Sequence, residues 1–246
     1  LVLEKKVHSK PVYNGVVVIK DILLVTDDNK SNLHLYSLHD GKFLSSRRLE
    51  SNPRGVCLIS KTEVAVCLYD GIVILSSKSI DDVKWVKTLD VSTGFTRCDS
   101  VAKWTSKILL VSGVKYGILC WGVASITDGH LDSTHNICKG YYSTHMAIKD
   151  NTVYISCDTL DSITNGVYAY DIFNPHTHKF LYQHKELKRP GSIMAVRNSV
   201  FLCDRNSDRI HQLTDSGQLV TIHRVSSNLH GIFYDDQRGV LYTTCR

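Results

Sequence analysis

One pattern recurs along this chain about every 40–45 residues, the period of a four-stranded blade. Starting at Asn14 the chain reads NGVVVIKDILLVTDDNKSNLHLYSLHDGKFL, at Arg54 it reads RGVCLISKTEVAVCLYDGIVIL, and at Gly191 it reads GSIMAVRNSVFLCDRNSDRIHQLTDSGQLV. Each stretch opens on a small residue and an apolar strand. A polar turn, a second apolar strand, a polar loop and a third strand follow. Repeat starts fall at Gly15, Gly55, Ser100, His145, Ser192 and Gly231, spaced 40, 45, 45, 47 and 39 residues apart. A unit of this size cannot bury its apolar faces alone, so neighbours must stack or close into a ring. Six starts predict an all-β, six-bladed β-propeller with four-stranded antiparallel blades, occupying residues 1–246 as a single domain.

The local chemistry agrees with that reading. Runs such as VVVI, ILLVT, KILLVS, TVYIS and VFLC are short and rich in β-branched and aromatic residues, with polar turns at their ends. They are nearly continuous in apolar character, as strands covered on both faces should be. Asp40-Gly41, Asp70-Gly71 and Ser216-Gly217 offer turns where positive φ is tolerated. No stretch carries a sustained 3.6-residue apolar period. The sixth repeat reaches only its second strand by Arg246, and Leu1–Val7 reads as a strand without a repeat of its own. Pairing that segment with the C-terminal strands would close the ring and cover an exposed edge, leaving the last blade one strand short.

Composition narrows the function classes. A chain of 246 residues buries enough surface to need no covalent staples. Its eight cysteines lack C-x-x-C spacing and mostly sit within apolar runs, so they read as buried reduced thiols in a cytoplasmic protein. No apolar run reaches the ~18 residues of a membrane span. The chain opens on Leu, which suggests a domain cut from something longer. Twenty-nine basic against 24 acidic residues give +5, a bias that permits an anionic partner without requiring one.

The segment Asp204-Arg205-Asn206-Ser207-Asp208-Arg209-Ile210, followed by Ser216-Gly217-Gln218-Leu219, resembles the signature of NHL repeats, the propeller units at the C-terminus of many tripartite-motif proteins. The first repeat is similar, with Asp27-Asp28-Asn29-Lys30-Ser31-Asn32-Leu33 and then Asp40-Gly41-Lys42-Phe43-Leu44, where Asn32 replaces the arginine. Repeats three and four keep the strands and lose the signature. In this motif Asp27, Asn29, Asp204, Asn206 and Arg209 read as blade-holding residues. Arg209 would return from the third strand to an aspartate in the inter-strand loop, and Asn206 would bond its own turn.

The loops leading into the inner strands converge at one mouth of the channel. They bring Asn14, Arg54, Arg97, Asp99, Thr144, His145, Arg189, Gly191 and His230 together, a polar ring with a basic excess. Two readings stay open: a recognition surface for a polar or anionic partner, or polar residues lining a wet opening. His145 and His230 have only Asp99 as an obvious further ligand, so no metal and no cofactor is expected. There is no G-x-S-x-G and no cysteine in an activated setting. Asn174–His178 reads as an exposed hairpin tip, and His184–Arg189 as a charged edge strand or an extension of the basic face. Tyr13, Tyr141 and Tyr142 lie near the loops into the inner strands. Tyr116, Trp121, Tyr154, Tyr168 and Tyr170 read as strand residues.

The expectation is a binding module without catalysis of its own. By the NHL resemblance it would be the substrate- or RNA-recognition propeller of a tripartite-motif-like ubiquitin ligase, taking a protein or an RNA on its loop face. The rivals are a metal-dependent hydrolase or lyase centred on the channel, and a structural protein-interaction scaffold.

Overall fold

The structure, a computed structural model of the chain, describes residues 11–79, 82–89, 95–139, 143–159, 165–225 and 229–245. Twenty-two strands are present among these residues, with a single 3-10 turn at Asp28–Lys30. The first blade holds β1 (Tyr13–Ile19), β2 (Ile22–Asp27), β3 (Asn32–Ser37) and β4 (Phe43–Arg48). The second holds β5 (Pro53–Leu58), β6 (Glu63–Leu68), β7 (Ile72–Ser79) and β8 (Asp82–Leu89). The third holds β9 (Arg97–Lys103), β10 (Ile108–Lys115), β11 (Ile118–Ser125) and β12 (Leu131–Lys139). The fourth holds β13 (Ser143–Lys149), β14 (Thr152–Asp158), β15 (Gly166–Asp171) and β16 (His178–Tyr182). The fifth holds β17 (Pro190–Val196), β18 (Ser199–Asp204), β19 (Arg209–Thr214) and β20 (Leu219–Arg224). A last sheet consists of β21 (Leu229–Asp235) and β22 (Val240–Cys245).

Every sheet is an antiparallel meander in sequence order, with its first strand innermost. The inner strands pack in a circle: β1 on β5, β5 on β9, β9 on β13, β13 on β17, β17 on β21, and β21 back on β1. The fold is therefore an all-β propeller. The expectation of six four-stranded blades is corrected to five, with a two-stranded sheet at the sixth inner position among the described residues. The proposed closing strand, Leu1–Val7, lies outside those residues.

The apolar runs are continuous because each blade is covered on both faces. All six residues of β2 are buried, as are five of six in β6. One core joins Val17, Leu24 and Leu35 of the first blade to Val64, Val66 and Val73 of the second. Equivalent cores follow between the next blades, and the circle ends where Val16, Val25 and Tyr36 meet Phe233 and Tyr242. The outermost strands have no such cover, and β4 and β20 are largely exposed, β20 with Leu219 and Val220 on its surface.

The six positions marked by the repeat lie on the inner strands, where neighbours approach most closely. A Cβ on Gly55 would stand 2.9 Å from Ser100 Cα, backbone that cannot yield, so that position needs a hydrogen. Five inner strands carry a register irregularity there: β1 between Tyr13 and Val16, β5 between Pro53 and Val56, β9 opposite Ser112 and Gly113, β17 between Pro190 and Ile193, and β21 between Leu229 and Gly231. A bulge re-aims the side chain it carries. In β13 the ladder is regular from Ser143 to Lys149, and the position is held by His145. Of the expected turns, Gly41 and Gly217 have positive φ, whereas Gly71 is not among the positive-φ glycines. The tip at Asn174–His178 is exposed apart from the half-buried Pro175, as expected. His184–Arg189 is a loop with Leu187 buried, in place of an edge strand.

Candidate functional site

Antiparallel pairing puts the start of each inner strand beside the end of the second strand, so Tyr13 pairs with Asp27 and Pro190 with Asp204. The loops after β2, β6, β10, β14 and β18 thus crowd the same end of the channel as the bulges. That geometry gathers Arg54, Arg97, Asp99, Thr144, His145, Arg189, Gly191 and His230 at one end, together with Asp158 and Arg205.

Asp99 ties three blades together. Its carboxylate accepts from Nη1 of Arg54 at 3.1 Å, and from Nε and Nη2 of Arg97 at 2.8 and 3.0 Å. It also accepts from the main-chain N–H of Thr144. Asp99 is 1% exposed; burial pushes its pKa up, and the two guanidiniums pull it back. Arg189 is paired separately, its Nε 2.8 Å from Asp158. Arg54 also lies over the ring of Tyr69, 5.9 Å from its centroid. Asn14 is nearly buried and lines the channel.

Arg205 is different. Its side chain leaves the loop after β18 and lies across Gly191, so a Cβ there would stand 2.7 Å from its Nε. Its Nη2 donates to Nε2 of His145 on the neighbouring blade. Arginine only donates, so Nε2 of His145 is unprotonated, and the neutral ring carries its proton on Nδ1. Burial, together with the charges of Arg205, His230 and Arg54, holds His145 well below the usual histidine range. Burial and the charge of Arg189 lower Arg205 as well, yet a guanidinium stays protonated. No carboxylate hydrogen-bonds to it among the described residues, and its Nε is sealed from solvent without a partner. The Nε of Arg54 is sealed and unpartnered too. The mouth therefore holds the guanidiniums of Arg54, Arg97, Arg189 and Arg205 beside the carboxylates of Asp99, Asp158 and Asp204.

Below this mouth a cavity of about 840 Å³ runs the length of the inner strands, from Asn14, Ser100, His145 and Ser192 at one end to Asp21, Lys61, Asp236 and Arg238 at the other. Among the described residues, no group of three or more His, Cys, Asp or Glu is placed to hold one metal ion. Cys57 lines the cavity with its thiol pushed up to about 12 by burial, so it is no thiolate nucleophile. The free cysteines include Cys57, Cys67, Cys98, Cys120, Cys157, Cys203 and Cys245.

The motif residues lie behind the site. Asp204 accepts from the main-chain N–H groups of Lys188 and Arg189 at 3.0 and 2.8 Å, and from the Ser207 hydroxyl at 2.5 Å. Asp27 does the same for Val12 at 3.1 Å and also meets His34 at 3.3 Å. Arg209 bonds Glu186 in the β16–β17 loop, a correction to the expected inter-strand aspartate. Asn206 offers Asp204 its main-chain N–H at 3.4 Å, and Asn29 sits exposed in the 3-10 turn. Trp121, Tyr154, Tyr168 and Tyr170 pack in strands as expected, whereas Tyr116 is 84% exposed in the β10–β11 turn. Tyr141 and Tyr142 lie outside the described residues.

The sequence reading missed Arg205, which looked like one more residue of a turn motif. Its significance depends on Gly191 and on His145, the one bulky member of an otherwise Gly/Ser position. That break in the repeat at His145 was the available signal.

No protein-family model matches the chain, and no curated protein matches it in sequence. Its shape matches 1193 solved chains, too many for shape alone to select a function. A gluconolactonase from Xanthomonas campestris is similar at TM-score 0.75 and 9% identity, over 96% of this chain and 83% of that one. A luciferin-regenerating enzyme is similar at 0.72 and 14%, over 96% and 84%. A chain of a nidogen–laminin complex is similar at 0.71 and 11%, over 90% and 84%. At these identities the likeness is one of fold. The expectation that this domain is not an enzyme is overturned on that ground, since propellers of this shape include enzymes as well as members of protein complexes. No helix among the described residues is long and apolar enough to cross a membrane. The chain has a β-propeller fold shared by enzymes and binding proteins, with a guanidinium-rich mouth at one end of its channel.

Proposed function

We propose that this propeller is a ligand-binding module that takes an anionic group, a carboxylate or a phosphate, at the bulged end of its channel. One observation carries the reading: Arg205 is a charged side chain held against a neutral histidine with no carboxylate bonded to it. A half-buried charge without a bonded carboxylate gains from an incoming anion, which would add to the more distant pull of Asp158 and Asp99. His145 stands at the cavity end with a proton on Nδ1 to donate, Arg205 supports it from behind, and Arg54 and Arg189 raise the local potential. Asn14, Arg97, Asp99 and His230 frame that position.

Such a group is carried by a protein side chain or terminus, by an RNA backbone, or by a small molecule. The tripartite-motif ligase setting implied by the NHL resemblance is not part of this reading, because Arg209 of the signature bonds Glu186 instead of an aspartate. The free thiols suit a reducing, cytoplasmic setting.

Isothermal titration of the full chain with acetate and with inorganic phosphate, at fixed ionic strength, tests the proposal. Saturable binding that falls at least tenfold in Arg205→Met is expected. Equal affinity in a folded Arg205→Met overturns it. A screen of lactones against the same preparation asks whether turnover accompanies binding, since a gluconolactonase shares the fold.

A further inference from the structure

The cavity behind His145 says more about what carries the anion. Its wall is built from the inner strands, and several polar groups of that wall bond to each other. The main-chain N–H of Met146 donates to the Ser100 hydroxyl at 3.3 Å, and that of Ile232 to the Ser192 hydroxyl at 3.4 Å. The N–H of Tyr234 faces the Met194 sulfur at 3.2 Å. Apolar side chains of intermediate burial face the lumen, including Val56, Leu58, Ile148, Met194 and Phe233.

The two ends hold their charges differently, and the far-end cations Lys61 and Lys103 are exposed to solvent. At the far end Arg238 is paired with both Asp21 and Asp235, at 2.8 and 2.9 Å, and Arg197 with Asp236 at 3.0 Å. At the near end the guanidinium behind His145 has no bonded carboxylate. A volume of about 840 Å³ is that of a small-molecule site.

The geometry points to a carboxylic acid with a long apolar body as the ligand, its carboxylate on His145 with Arg205 behind that ring, and its body laid down the channel between the inner strands. This rests on the anion-binding reading above and goes beyond it by naming the ligand class. Apolar length contributes affinity by leaving water, and the single charge fixes which end goes in first.

The full chain is titrated with sodium acetate, octanoate and dodecanoate, and with 1-octanol as an uncharged control of matched length. Affinity is expected to rise along the acids by about fourfold for each methylene that is buried, with octanol binding far more weakly than octanoate. Acetate and dodecanoate binding equally would overturn the apolar body and leave the anion site standing. Octanol binding as tightly as octanoate would overturn both, as would binding of none of the acids. Ala195→Phe and Ser60→Phe narrow the channel from two different blades. Either variant, if its melting temperature matches the parent, should weaken dodecanoate while sparing acetate. A folded variant with unchanged dodecanoate affinity places the chain elsewhere and overturns the proposal.

Discussion

The guanidinium of Arg205 donates to Nε2 of His145, a residue 60 positions earlier in the chain and one blade away. The contact exists because Gly191 has no side chain to block the path: its missing Cβ would stand 2.7 Å from Nε and 2.9 Å from Cγ of Arg205. Three elements of two blades thus fix one charge.

Gly191→Ala should therefore displace Arg205 without attacking the fold elsewhere. The expected cost is about 1–3 kcal/mol, the usual range for overpacking, with at least a tenfold loss of acetate or phosphate affinity. Denaturant unfolding and titration on the same variant measure the two effects.

Asp99 is the acceptor for both Arg54 and Arg97, and it also holds the Thr144 main chain. Asp99→Asn leaves two guanidiniums without their counter-charge. Both keep some contact with solvent and can turn outward, so the loss should be about 3 kcal/mol, the low end for breaking a buried pair. Urea unfolding at pH 7 checks it; a change under 1 kcal/mol would mean that Asp99 does not hold the three blades together.

Acid should destabilise this protein earlier than carboxylate protonation alone predicts. Burial depresses the pKa of His145 and of His211, so each stays neutral in the folded chain while the unfolded chain takes up a proton below about 6.5. Their contribution is intact above that pH and is lost as pH falls, by up to about 1.4 kcal/mol per pH unit for each histidine. The lower limit of the window is each depressed folded value. Melting temperature followed from pH 7 to pH 5 should fall, and His145→Gln should reduce the slope; an unchanged slope counts against a neutral His145.

Asp204 and Asp27 have the same job in different blades, each pinning the segment that leads into an inner strand. Asp204→Ala and Asp27→Ala should each cost about 1–2 kcal/mol, because half-buried main-chain donors lose a charged acceptor. Only Asp204→Ala should also lower anion affinity, since it alone releases the main chain of Arg189 beside Arg205. Equal effects on binding would show that both act through general stability.

The sequence by itself determined the blade. Strand-forming runs, their turns and a small residue at each inner-strand start are local properties, and a unit that cannot bury both faces alone has to pack in a ring. The ring of Asn14, Arg54, Asp99 and His145 was legible for the same reason: a repeat puts equivalent positions at equivalent places. The tertiary structure alone decided the pairing within that ring. Arg54 turns to Asp99, already held by its neighbour Arg97, and Arg189 turns to Asp158 and Arg209 to Glu186, each of these three long-range choices depending on distances between segments far apart in sequence. It also showed five four-stranded blades and a two-stranded sheet among the described residues, because the number of strands in a sheet depends on which edges meet. Arg205 belongs with these: its charge is written in the chain, but its pairing with His145 in place of a carboxylate comes only from where the fifth blade leaves it.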